Sequence, residues 1–295
     1  MGLPSSTVAA SRLTGCPLFP GAPHRAAASL RACTATITGL VALLMTALPA
    51  LAATPCPDDY RPLGRVTGVT DAGELVLEDS RLVRLAAIDA AGGEAAMAAF
   101  LGRTTPGRMA SLAQAGAGTD RHGRHAGLVR LDAENGQASI ALQAALLADG
   151  LAVARPEPGF LGCMDSFAEA ERPARQGRQG LWAHLPLAAG NIAALNERRG
   201  RFTILAGRVL TVGTGRVVDY LNFGVVWRKD ATVRLEKDVS RALTQRGIAL
   251  ADVAGRRVAV RGPVVEDGGP AIDIRWIEQI AAVDDVWEGQ KAGDR

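Results

Sequence analysis

After residue 60, apolar and polar residues alternate over short runs, the two-residue period of strands with one face in a core. Leu63 to Thr70 and Glu74 to Glu78 are the first two predicted strands, separated by the Asp71-Ala72-Gly73 turn. Leu82 to Ile88 is the third. Its alternation puts Val83, Leu85 and Ala87 on one face and Arg84, Ala86 and Ile88 on the other. Ala90-Ala91-Gly92-Gly93 breaks the pattern, and Glu94 to Leu101 is a helix by propensity, with Met97 and Leu101 four apart. Met109 to Gln114 and His125 to Leu131 bring the strands to five. Two helices follow. One covers Ser139 to Asp149 and stops at Gly150; the other is capped by Asp165 and runs toward Gly180. Pro173 inside the latter predicts a kink or a split.

Trp182 to Asn191 reads as a linker, since Pro186, Ala188, Ala189 and Gly190 mark a shift in composition. Beyond it the same order of elements returns. Phe202 to Val212 and Arg216 to Leu221 are strands around Gly213-Thr214-Gly215. Ala231 to Leu235 is a third, and Val239 to Gln245 a short helix. Arg256 to Val265 and Ala271 to Ile280 are the fourth and fifth strands. Three strands, a helix and two strands is the order of an OB-fold barrel. The predicted fold is therefore mainly β, with two OB-fold-type five-stranded barrels, the first carrying two added C-terminal helices. The first domain is placed at 54–187 and the second at 188–287, with 288–295 as a tail.

Composition agrees with a folded chain, at 48% apolar and 21% charged, but aromatics make up only 4%, so the cores must be aliphatic. Residues 1–53 read as a signal peptide. They contain Arg12, Arg25 and Arg31 but no acid, and Thr38 to Ala50 is too short and alanine-rich for a comfortable membrane span. Ala50-Leu51-Ala52 supplies a small-x-small cleavage site. An uncleaved anchor is the alternative. Cleavage would deliver the mature chain to the periplasm or the medium, with no stable membrane insertion. The three leader arginines account for the whole formal charge of +3, so the remainder is close to neutral. That excludes a protein that clings to nucleic acid by bulk charge. Cys16 and Cys33 leave with the leader. Cys56 and Cys163 remain, an even count suited to a disulfide in an oxidising compartment, or else two unrelated thiols.

Arg84 inside an apolar strand needs an anion, either an internal carboxylate or a phosphate gripped by the guanidinium fork. Asp89 stands at the end of that strand, and Asp120-Arg121-His122-Gly123-Arg124 places a second arginine before another. A leucine-rich helix running into Gly-Leu-Ala (Ala141 to Ala152) and a charged helix ending in Gly-Leu-Trp (Glu171 to Trp182) complete the series. In this order, over roughly Arg61 to Ala183, the features resemble the staphylococcal nuclease (thermonuclease) family, with His122 replacing the usual tyrosine. The resemblance implies calcium-dependent phosphodiester hydrolysis. Arg84 and Arg124 match its phosphate-binding arginines, which neutralise charge on the phosphorane, and Asp89 matches a calcium ligand. Two positions depart. Gly73 stands where a second carboxylate ligand belongs, and Gly92 where the water-orienting glutamate belongs. Glycine can do neither job. Asp71 or Glu74 could replace the ligand and Glu94 the base; otherwise the enzyme is weak or silent, with Ca2+ relevant only if it is active. On this reading, Gly73→Asp and Gly92→Glu should restore cleavage.

The second half resembles the C-terminal OB-type domain found after some bacterial nuclease modules, through Tyr220-Leu221-Asn222-Phe223-Gly224 and Val260-Arg261-Gly262. Tyr220, Phe223 and Trp227 either stack bases of single-stranded DNA or RNA or simply pack the barrel. His122 and His125 lack further ligands at zinc spacing and read as a solvated turn. Arg172, Arg175 and Arg178 read as a solvated helix face, and Arg198, Arg199 and Arg201 as phosphate contacts or a soluble linker. Three functions follow: an exported nuclease, a silent nuclease fold that binds nucleic acid or another anion, and an envelope interaction module. A monomer is expected in each case.

Overall fold

The structure is a computed structural model that describes residues 55–116, 118–134, 136–226 and 230–282. The proposed leader, Trp227 and the proposed tail lie outside the described residues. The first half contains β1 (Arg61–Val69), β2 (Leu75–Leu77), β3 (Leu82–Leu85), β4 (Ile88–Asp89), α1 (Glu94–Thr104), β5 (Met109–Ala113), β6 (His125–Leu131), β7 (Ile140–Ala141), α2 (Leu142–Ala148), β8 (Val153–Ala154) and α3 (Met164–Gly177). β1, β2 and β3 form an antiparallel meander, β5 takes the other edge of β1, and β6 pairs with β5. β6 then meets β3 in parallel, so five strands close into a barrel. Closure requires β1 to bend enough to serve both neighbours. Its register slips between Val66 and Gly68 and between Pro62 and Gly64, where Gly64 has φ +129°. The inward residues, including Val66, Leu75, Leu77, Val83, Leu85, Leu112, Val129 and Leu131, join α2's Leu142 and Leu146 in one aliphatic core. Cys56 and Cys163 form a disulfide beside that core.

The sequence places one strand over Leu82 to Ile88, but the structure divides it. β3 ends at Leu85, and Ile88–Asp89 pairs instead with Val153–Ala154. Ala87 has φ +62°, and Ala86, Ala87 and Ile88 are all buried, so the alternation stops where the chain leaves the barrel. Helix α2 starts at Leu142 because Ile140–Ala141 are paired with β6. Asp165 is not the cap of α3. Cys163 holds the N-cap position, no side chain caps it, and Asp165 lies in the first turn. Pro173 neither splits α3 nor ends it: the helix runs through to Gly177 with Pro173 on its exposed side, so the missing N–H bond falls at the water-facing surface.

The second half contains β9 (Leu187–Ala188), α4 (Ile192–Asn196), β10 (Phe202–Arg208), β11 (Thr211–Thr214), β12 (Val218–Asn222), β13 (Thr232–Glu236), α5 (Lys237–Gln245), β14 (Arg257–Glu266), β15 (Pro270–Ile274) and β16 (Ile280–Ala282). They make an eight-stranded sheet, β11-β12-β13-β15-β14-β10-β9 with β16 added on β14, curled into a half-barrel over α5 and a second aliphatic core. Five strands were expected. Two of the long predicted strands break. Phe202 to Val212 divides into β10 and β11 around the Val209–Leu210 corner, and Ala271 to Ile280 divides around a 3-10 turn at Ile277–Gln279. Buried Gln279 holds that turn, accepting from the N–H groups of Arg275 and Trp276 and donating to the carbonyls of Arg261 and Asp273.

The segment between the sheets is anchored to the protein rather than free, although half of its residues are exposed. Trp182, Leu185 and Ala189 are buried, and Leu187–Ala188 pairs with β10. Trp182 and Leu185 share a third apolar cluster with Ala91, Val153 and Ala174 on one side and Phe202, Ile204, Ala206 and Ala259 on the other. Arg261 of β14 crosses this seam to Glu171 of α3. Both sheets belong to one compact unit. Among the described residues, no helix is long and apolar enough to cross a membrane.

Candidate functional site

β3 and the start of β6 lie side by side, with Val83 opposite His125 and Arg84 opposite Ala126, so Arg84 and Arg124 emerge at one end of neighbouring strands. Neither is an open fork. Arg84 Nη1 and Nη2 donate to the two carboxylate oxygens of Glu157 at 3.1 and 2.5 Å. The N–H of Ala87 adds a third donor to the same carboxylate at 3.0 Å. The left-handed turn at Ala87 is thus the device that aims this N–H inward, and Glu157 is what it aims at. Burial alone would raise the Glu157 carboxyl, but the Arg84 fork and the Ala87 N–H outweigh it and hold the group below the ordinary range.

Arg124 is held from two sides. Its Nη1 lies 2.5 Å from Glu74 Oε1, and its Nε lies 2.9 Å from Asp120 Oδ2. Asp120 also accepts the N–H groups of His122 and Arg124, closing the Asp120–Arg124 turn in which Gly123 takes φ +76°. The Arg124 hydrogen bond pulls the Asp120 carboxyl far below its usual value, and Asp120 together with Glu74 raises Arg124. Asp89 accepts from Arg155 Nη1 at 3.0 Å and from the Ala91 N–H at 2.8 Å. Asp71 and Glu94 are exposed and bond to none of these groups. His122 accepts from Arg121 in the exposed turn.

The two glycine positions are structural. Gly73 has φ +77°, and a Cβ there would collide with Met97 Cε; Gly92 has φ +91°, and a Cβ there would collide with Arg198 Nη1. Those side-chain ends can swing aside, but the left-handed backbone remains strained for any other residue. The substitutions Gly73→Asp and Gly92→Glu would therefore each put a side chain on a strained backbone. A glutamate at 92 would also meet the Arg198 guanidinium, which lies on that glycine and donates to Ala91 O. The donor set does not fit a calcium ion either. Asp89 is engaged by Arg155, Gly73 has no side chain to offer, and among the described residues no group of three or more His, Cys, Asp or Glu could hold a metal.

In the second half, Phe223 serves packing. It lies against that core, with its Cδ1 2.8 Å from where a Cβ on Gly207 would stand. Tyr220 on β12 is half-buried and faces Gly213 of β11 across the ladder. Sequence reasoning missed Arg155 and Glu157. Their one local signal is Arg155-Pro156-Glu157-Pro158, charges between prolines that hold the segment extended. No known protein-family model matches the chain, and no curated protein matches it.

The depressed Glu157 carboxyl sets a pH dependence. Its pairing stabilises the fold above the unfolded-state pKa of about 4.3, and the contribution is lost as pH falls through the lower folded value. Asp120 acts in the same direction, so the comparison must isolate Glu157. Glu157→Gln is expected to flatten the fall in thermal midpoint below about pH 5 relative to the unmodified chain. Parallel curves for the two proteins would refute the assignment.

Proposed function

We propose that the chain is a catalytically silent staphylococcal-nuclease-type protein, exported to the periplasm or the medium, whose two OB-type halves serve as a binding and interaction module. One observation carries the reading: each arginine at a family phosphate-binding position is already held by the chain's own carboxylates, Arg84 by Glu157 and Arg124 by Glu74 and Asp120. A phosphodiester would have to displace them. Each displaced carboxylate would lose its cation at a partly shielded position. The closed barrel with its inserted helix supports the OB-type assignment, and the disulfide is compatible with an oxidising compartment.

The test is digestion of single-stranded DNA by the purified chain, with calcium and with chelator. Equal, background-level cleavage is expected for the unmodified chain, for Arg84→Ala and for the Gly73→Asp/Gly92→Glu double variant. Loss of a positioned base alone lowers such rates about 10²–10⁴-fold. Brisk calcium-dependent cleavage that Arg84→Ala abolishes would overturn the proposal. Binding of the DNA without cleavage, weakening steeply with salt, would point to nucleic acid as the ligand.

A further inference from the structure

The pocket at the seam of the two halves differs chemically from the arginine sites above. Its volume is about 140 Å³, and it is lined by Ala96 of α1, Leu151, Leu181 and Leu185, with His184 and Arg198 as its polar groups. Backbone builds much of the remaining wall. Gly150 and Gly180 are in contact there, a Cβ on either would strike main-chain atoms of the other's segment, and the Leu181 N–H donates to Gly150 O at 2.8 Å. Such a wall cannot collapse by side-chain rotation, so the space is preformed.

Arg198 gives the pocket its charge. Its Nη1 donates to Ala91 O at 2.6 Å, which fixes the guanidinium plane. Arg84, Arg124, Arg155, Arg234 and Arg261 all face a carboxylate. Arg198, half-buried, has none among the described residues. A guanidinium carries five N–H donors, so several remain for a ligand.

We propose that this pocket binds a small monocarboxylate with a short apolar tail. The tail would lie against Leu151, Leu181 and Leu185, and the carboxylate on Arg198. A dry protein cavity of roughly 150 Å³ holds benzene, which sets the ligand at about six heavy atoms, the size of butyrate. The site uses neither Arg84 nor Arg124, although it adjoins Gly92, on which Arg198 lies.

The experiment titrates the full chain with acetate, propionate and butyrate, and with butylammonium as the charge-reversed control, by NMR shift perturbation or calorimetry. Affinity is expected to rise about fourfold with each added methylene. Ala96→Trp, on an exposed helical position, should abolish butyrate binding without unfolding the chain. Arg198→Met should weaken it at least about tenfold, the scale of a lost charge-assisted hydrogen bond, and Arg198→Lys should recover part of the loss. Equal binding of acetate and butyrate, equal binding of butylammonium and butyrate, unaltered binding in Ala96→Trp, or no binding at about 50 mM, the weak end for a ligand this small, would each overturn the proposal.

Discussion

Replacing Glu171 with alanine is expected to lower the unfolding free energy by about 3–5 kcal/mol, the scale seen when one member of a buried ion group is removed. Glu171 is fully buried in α3, yet its carboxylate is well occupied. Oε1 accepts from the Ala154 N–H at 2.5 Å and from Arg261 Nη1 at 3.2 Å, while Oε2 accepts from Arg261 Nη2 at 3.2 Å and Arg175 Nη1 at 3.5 Å. Truncation would leave Arg261 in the seam without the carboxylate it faces. Burial already pulls Arg175 below its usual value, and the charge of Arg261 acts in the same direction. The Ala154 N–H would lose its acceptor as well, next to the β4–β8 pairing. Glu171→Gln keeps an acceptor for Ala154 and should lose less. Adding Arg261→Met to Glu171→Ala should recover part of the stability by removing the orphaned charge. Urea denaturation reads all three. A Glu171→Ala variant within about 1 kcal/mol of the unmodified chain would mean the group is hydrated and not a buried clamp.

Removing the disulfide should cost a comparable amount for a different reason. Cys56 and Cys163 are 107 residues apart, so their bond closes a very long loop. The chain-entropy relation gives about 4.7 kcal/mol for a loop of about 100 residues, an effect exerted on the unfolded chain. The Cys56→Ala/Cys163→Ala variant should therefore unfold roughly 10–20 °C lower, as should the reduced protein. Since Cys163 is fully buried in the first core, alanine there adds a small packing loss. Identical melting of the oxidised and reduced chain would rule out this stabilisation.

Local patterns show clearly in the sequence, whereas pairings across distance do not. The strand His125–Leu131 matches its predicted bounds residue for residue, because polar residues flank one apolar run and the Gly123 turn precedes it. The helix at Glu94 is an equally local inference from propensity, while the disulfide is the exception among distant pairings, reached because only two cysteines remain after the proposed leader. The break after Leu85 is invisible because Ala86, Ala87 and Ile88 continue an apolar run, and an alanine gives no hint of a positive φ. The anion for Arg84 was legible as a need but not as a residue: Glu157 lies 73 positions away. At Gly73 and Gly92 the pattern reports missing carboxylates, whereas the backbone explains the glycines by their left-handed conformation. The curl of the second sheet was hidden for the same reason as the break in β3. Long apolar runs do not announce where the chain turns a corner.

The Glu171–Arg261 contact also joins parts of the chain that are made at different times. A chain that emerges N-terminus first presents Cys56, Cys163 and the strands of the first barrel long before Arg261, which follows Glu171 by ninety residues. Until β14 is made, Glu171 has Arg175 of its own helix but no cation from across the seam, and one side of Trp182 lacks its cover. The last strands to be made are thus the ones that cover Trp182 and bring Arg261 to Glu171.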